Sequence, residues 1–167
     1  MRADDLRAIQ APLKTRYRDD PDAALVTLSA SATLGEGVTC NVQTGKALAT
    51  AGLHPASGGN GASLCSGDML LEALVACAGV TMRAVATALE IPVDGRVTAE
   101  GELDFRGTLG VDRDTPVGFR SIRLEFDLDT DADEARIAKL IELTERYCVV
   151  LQTLAGSPAL TVECRPD

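Results

Sequence analysis

The chain has no tryptophan, two tyrosines, three phenylalanines and a single histidine. Aromatics make up only 3% of it, so a core must be assembled from aliphatic side chains and alanine, which pack finely but bury less area each. One histidine leaves little for a metal centre. Cys40, His54 and Cys65 are conceivable ligands, but no two stand at the close spacing of zinc motifs, and neither a metal nor a cofactor is expected. Basic residues are outnumbered 16 to 25, giving a net charge of −9. With no lysine- or arginine-rich patch, that balance opposes nucleic-acid binding through phosphate contacts. The start, Met1-Arg2-Ala3-Asp4-Asp5-Leu6, lacks a signal-type apolar run. No stretch approaches the roughly eighteen uncharged apolar residues of a membrane span, and a soluble, cytoplasmic protein without a membrane partner is expected.

Five cysteines, an odd number at irregular spacings, argue against a secreted disulfide framework and for reduced thiols with at most one working pair. The run Gly58-Gly59-Asn60-Gly61 precedes a helix but lacks the lysine of a phosphate-binding loop. Its glycines are therefore read as residues that let the chain turn sharply.

The 167 residues, 46% hydrophobic, suit one domain with a real core. No repeat, linker or composition break divides them. The expected layout is a helical lead-in over 1–21 and a core over 22–167. Leu6 to Tyr17 reads as a short helix broken at Pro12 and stopped at Asp19-Asp20-Pro21. From Ala24 to Leu34 the chain alternates, and it does so again from Val38 to Val42 after Gly35-Glu36-Gly37, which predicts two strands around a glycine turn. A third short strand is expected over Lys46–Thr50. Ser66 should cap a long helix with Asp68 in its first turn, and Ile91-Pro92 should end it. Two half-exposed strands follow, on Val97 to Phe105 and Ile122 to Leu128, with a loop over Gly107–Gly118 between them. Asp131 with Glu134 predicts a capping box for a second helix, and Leu160, Val162 and Cys164 predict a closing strand. Strands then helix, twice over, give an α+β fold with antiparallel sheet.

Two cysteines organise this layout. Cys77 lies in the middle of the apolar stretch Asp68 to Glu90, on a face with Leu70, Ala73, Leu74, Val80 and Thr81. Cys148 ends the row Ile137, Leu140, Ile141, Thr144, while Arg136, Lys139, Glu142, Glu145 and Arg146 face out. Each sulfur points to the buried side of its own helix. Cys40 and Cys164 fall on inward strand faces and, with Cys65, are read as structural. The first helix is too apolar all round to lie on the surface of a monomer, which favours an obligate dimer.

The segment Ser66-Gly67-Asp68-Met69-Leu70-Leu71-Glu72-Ala73, followed by Leu74-Val75-Ala76-Cys77-Ala78-Gly79-Val80-Thr81-Met82-Arg83, resembles the central helix of the OsmC/Ohr superfamily. Glu145-Arg146-Tyr147-Cys148-Val149-Val150-Leu151-Gln152-Thr153-Leu154 resembles that superfamily's second-cysteine segment. The resemblance covers most of the chain. It implies an OsmC-like fold, antiparallel sheets wrapped around a long apolar helix, and an intertwined homodimer whose sites combine both chains. Two departures stand out: Val149 occupies a position where many relatives carry proline, and no glycine-rich early segment supplies the arginine of the hydroperoxide-resistance branch.

The resemblance further implies a thiol-dependent peroxidase for organic, lipid-like hydroperoxides. Cys77 would attack, Cys148 would resolve, and a dihydrolipoyl or thioredoxin-like dithiol protein would recycle the disulfide. Burial would raise the Cys77 pKa, so a cation is expected to keep it reactive. Arg16, Arg18, Arg83 and Arg146 are the candidates, with Asp68 where the family carries an acid able to orient an arginine. An apolar pocket around Cys77 would favour alkyl hydroperoxides over hydrogen peroxide. The competing expectation is a non-catalytic dimer of the same fold that binds a small apolar ligand with its thiols idle.

Overall fold

A 23-residue helix, α2 (Ser66–Ala88), is the element against which the rest of the chain is arranged. The computed structural model describes residues 2–19, 31–34, 39–43, 48–110 and 112–165. The chain begins with α1 (Ala3–Asp19), then β1 (Ser31–Leu34), β2 (Thr39–Gln43) and β3 (Leu48–Gly52), and a single 3-10 turn at Pro55–Ser57. Next come β4 (Leu64–Cys65), α2, β5 (Asp94–Leu103) and α3 (Phe105–Thr108). The chain closes with β6 (Phe119–Asp129), α4 (Glu134–Tyr147) and α5 (Val149–Gly156). One sheet has the order β1-β2-β3-β4 and the other pairs β5 with β6. All pairings are antiparallel except the short β3–β4 pair.

The fold class is the α+β architecture expected, and β1 pairs antiparallel with β2, Leu34 opposite Cys40, while the Gly35-Glu36-Gly37 run between them lies outside the described residues. The alternating residues Ala24 to Ala30 lie outside the described residues. Several boundaries differ from the sequence reading. The lead-in helix runs unbroken through Pro12, because a proline removes only its own N–H from the ladder while the flanking turns still close. Cys65 rather than Ser66 is the N-cap of α2. Pairing of Cys65, the last residue of β4, with Gly52 of β3 holds it extended, so the helix starts on the very next residue. The glycine run supplies backbone turns, with φ of 95° at Gly58 and 72° at Gly61, a region open to glycine at little cost.

The long helix ends earlier than Ile91-Pro92 suggests. Glu90 adopts a left-handed conformation, φ 55°; its N–H donates to the Thr87 carbonyl at 3.2 Å and that of Ile91 to Ala86 at 2.9 Å, a Schellman ending. Two things offset the cost of this conformation at a non-glycine residue. Ile91 drops into a core of Met82, Ala86 and Leu140. The Arg136 guanidinium donates to the Leu89 and Glu90 carbonyls at 3.1 and 3.2 Å, a cation where the helix end is negative.

The β5–β6 hairpin lies along α2, with α4 and α5 also against the helix. The fully buried line of α2 is Leu74, Ala78, Met82, Ala86, a strict four-residue spacing. Leu70, Ala73 and Val80, expected on that face, are instead exposed in the single chain, Val80 at 73%. By length and composition α2 could cross a membrane, against the expectation that no stretch comes near. That expectation counted uncharged residues, whereas a span tolerates a charge toward its ends; here the helix lies on β5, α4 and α5. The segment between β5 and β6, read as loop from Gly107, starts with the one-turn α3. Residues 157–165 form no strand, and Leu160, Val162 and Cys164 are exposed.

The cap of α4 is Asp133. Its carboxylate accepts the Arg136 N–H at 2.8 Å, while Asp131 lies two residues upstream, in a turn pinned by the Thr130 hydroxyl on the Pro92 carbonyl at 2.6 Å. Asp133→Ala should therefore lower unfolding stability by about 1 kcal/mol and Asp131→Ala by less than about 0.5 kcal/mol, measured by urea denaturation. Equal effects would contradict this assignment.

Candidate active site

The sulfur of Cys77 meets Cys148 because α4 does not run on into α5. Its amphipathic row, Leu140, Thr144, Cys148, is wholly buried, as the periodicity predicts. The Cys148 N–H still donates to Thr144 at 3.0 Å, but Cys148 then turns extended, φ −74° and ψ 103°. Its carbonyl accepts the Gln152 N–H at 2.9 Å, which starts α5. The Gln152 side chain in turn donates to the Glu145 carbonyl at 2.9 Å, tying the two helices across the break. Val150, Leu151 and Leu154 of α5 pack with Leu74, Ala78, Cys77 and Cys148 in one cluster beneath Val97, Ala99, Ile122 and Leu124 of the hairpin.

This break aims the start of α5 at Cys77. The first amides of a helix have no acceptor within it, and those of Val150 and Val149 face the Cys77 sulfur, as do the Cys148 thiol and the Thr81 hydroxyl. Burial by itself pushes the Cys77 thiol up; these four donors outweigh it and hold the thiol below its ordinary range. Cys148 goes the other way. Burial is the main cause and the neighbouring Cys77 sulfur adds to the rise. The Leu151 and Val150 amides offset it only in part, and no full capping bond reaches the Cys148 side chain. The pair is therefore asymmetric: Cys77 is the more easily ionised of the two thiols and Cys148 the less.

The expected cation is not among the described groups around Cys77. Arg83 donates to the Val93 carbonyl at 2.6 Å and pairs with Asp94 at 3.0 Å. Arg146 lies over the Tyr147 ring, 5.5 Å from its centroid, on the solvent side of α4. Arg16 and Arg18 belong to α1, where their side chains lie outside the described residues. Asp68 sits nine residues before Cys77, about 13 Å along the helix axis. It lines a separate cavity of about 560 Å³ with His54, Cys65, Leu103, Phe119 and Arg120. The sequence reading missed two contributors. Thr81, one turn after Cys77, reads from the sequence only as part of the packed face, and the amides of Val149 and Val150 carry no signal in side-chain identity. Among the described residues Cys77 is half-buried, and beside it stand the exposed Ala73, Ala76 and Val80 of α2 and the exposed Tyr147 and Val149, an open apolar surface where an enclosed pocket was expected. Among the described residues no group of three or more His, Cys, Asp or Glu side chains could hold a metal ion.

An α+β chain wound on a long apolar helix, with a second helix pair crossing its middle, has the architecture of a known class. A family model described as OsmC-like protein matches residues 58–163, and the chain belongs to that family. Solved structures carry the same fold. The OsmC-like protein of Mycoplasma pneumoniae matches with a TM-score of 0.64 at 21% identity, over 78% of this chain and 89% of that one. The organic hydroperoxide resistance protein OsmC of Legionella pneumophila matches at 0.62 and 21%, over 80% and 92%. OhrB of Bacillus subtilis, an organic hydroperoxide resistance protein, matches at 0.55 and 19%, over 80% and 93%. No curated protein matches the sequence.

Thr81→Val keeps the side-chain shape and deletes the hydroxyl. It should raise the pH midpoint of Cys77 alkylation by iodoacetamide and slow that reaction about threefold at neutral pH, while Thr81→Ser should stay near wild type. A valine variant that alkylates like wild type would remove Thr81 from the site.

Proposed function

We propose that this chain is a thiol-dependent peroxidase that reduces organic hydroperoxides, with Cys77 as nucleophile and Cys148 as resolving thiol. The observation that carries the reading is the meeting of the two thiols in one packed cluster, Cys77 half-buried and Cys148 fully buried, with hydrogen bonding lowering the Cys77 pKa and burial raising that of Cys148. Membership of a family whose solved relatives include organic hydroperoxide resistance proteins supports it.

The Cys77 thiolate attacks the terminal oxygen of ROOH. The O–O bond breaks, the alkoxide takes a proton and leaves as ROH, and Cys77 becomes a sulfenic acid. Cys148 attacks the Cys77 sulfur through its own sulfur. Its thiol proton and the sulfenic hydroxyl leave together as water, closing a disulfide. An external dithiol, dihydrolipoyl or thioredoxin-like, then reduces that disulfide and is itself oxidised. Because Cys148 packs in one cluster with Cys77, the sulfenic acid has its partner at hand before over-oxidation. The rate should rise with pH as Cys77 ionises and level off below the ordinary thiol range, since its pKa is lowered.

The working unit in this reading is a homodimer. A second copy covers the exposed apolar face of Leu70, Ala73, Ala76 and Val80 and completes an apolar wall beside Cys77 for an alkyl tail. Light scattering should give twice the chain mass; a monomer at micromolar concentration would contradict the dimer.

Cys77→Ser should abolish consumption of cumene hydroperoxide. Cys148→Ser should reduce about one equivalent per chain and then stall as a sulfenic or over-oxidised Cys77, read by intact mass. Full turnover by Cys77→Ser would overturn the assignment of the nucleophile, and thiols indifferent to peroxide in the folded wild type would shift the reading to apolar-ligand binding.

A further inference from the structure

After α5 the chain carries the pattern of a strand without being one. Ser157 leaves the helix in a left-handed conformation, φ 44°, and Pro158 behind it cannot extend the helical ladder. Leu160, Val162 and Cys164 then alternate with Thr161, Glu163 and Arg165, the two-residue period of a strand with one face buried. Yet Leu160 is 88% and Val162 96% exposed, and Cys164 is exposed as well. Among the described residues no backbone hydrogen bond joins this segment to another element. Its one ion pair, Arg165 with Glu163 at 3.7 Å, is internal.

Three observations point to what receives it. A folded chain of 17.5 kDa that closes on itself exposes about 7,900 Å². This one exposes 12567 Å², an excess of the size that permanent dimers cover. The segment also starts at the open surface beside Cys77, since Pro158 lines one cleft with the exposed Tyr147 and Val149. Finally, β5 and β6 make a sheet of two strands, fewer than an independently stable sheet needs, and its residues Val97, Ala99, Ile122 and Leu124 already lie on the Cys77 cluster.

We propose that residues 158–164 are an exchange arm that leaves its own chain and adds a strand to the β5–β6 sheet of a second copy, with Leu160, Val162 and Cys164 turned to the core. The inference rests on the homodimer described above and names the segment that holds its two copies together. By two-fold symmetry each chain gives one arm and receives one. Main-chain hydrogen bonds to the sheet edge supply affinity, and the alternate side chains set the register.

Aspartate substitutions along the arm test this, because Leu160, Thr161 and Val162 are all exposed in a single chain and only the exchange makes them unequal. Leu160→Asp or Val162→Asp should weaken dimerisation at least about tenfold, by burying a charge, as read by sedimentation over a concentration series. Thr161→Asp puts the same charge on the opposite face and should stay within about threefold of wild type. Folded variants that all dimerise alike would overturn the proposal. Hydrogen exchange on the wild-type dimer needs no variant to fold: amides 159–164 should exchange at least about tenfold more slowly than in a synthetic peptide of the same residues. Exchange at the peptide rate would overturn the arm. Slow exchange with dimerisation indifferent to Leu160→Asp and Val162→Asp would place the arm on its own chain and overturn the exchange equally. A dimeric wild type with either negative result leaves the homodimer standing, whereas a wild type that is monomeric throughout removes the homodimer and the arm together.

Discussion

The break between α4 and α5 at Cys148 is the constraint on which the site depends. Were the helix to continue, the amides of Val149 and Val150 would be spent on carbonyls of the preceding turn and could not reach Cys77. One extended residue frees them, turns them toward α2 and brings the Cys148 sulfur to the same place. The break is held from several directions: Thr144 and Cys148 are fully buried, the Gln152 side chain occupies the Glu145 carbonyl, and three α5 side chains enter the core.

The same economy accounts for a core with few aromatics. Leu74 and Ala78 alternate with small neighbours along α2, so that α5 and the hairpin can approach the helix closely enough for backbone amides to reach a sulfur on it. Bulky rings at these positions would hold the elements apart. The opposite side of α2 tells a complementary story, since Leu70, Ala73, Ala76 and Val80 remain uncovered within one chain. A helix apolar on both sides suits an element that serves one chain's core and a second copy's surface at once.

How much of this could be read from the sequence depends on what carried the signal. The α+β class, the long helix, the two strands after it and the inward row ending in Cys148 follow from periodicity and hold, whereas the closing strand expected on Leu160, Val162 and Cys164 does not form. Which cap is used did not follow, because Ser66 and Asp131 have the right chemistry but neighbouring pairing and a Thr130 turn shift the helix starts to the residues after Cys65 and Asp133. Leu70 and Val80 share an apolar stripe with Cys77, yet the four-residue line through Leu74 is the one that meets the hairpin. A stripe wider than one neighbour cannot say which part is covered by its own chain. The least legible feature was the activation of Cys77. A reading of side chains looks for a cation, whereas the lowered pKa arises from main-chain N–H groups, a thiol and a hydroxyl.

The account turns on Cys77 and Cys148 working as one redox pair. Reduced protein treated with one equivalent of cumene hydroperoxide should lose two thiols per chain, with peptide mapping giving a Cys77–Cys148 disulfide and Cys65 and Cys164 still free. A folded protein that keeps all its thiols, or that forms a disulfide through other cysteines while Cys77 stays reduced, would contradict it.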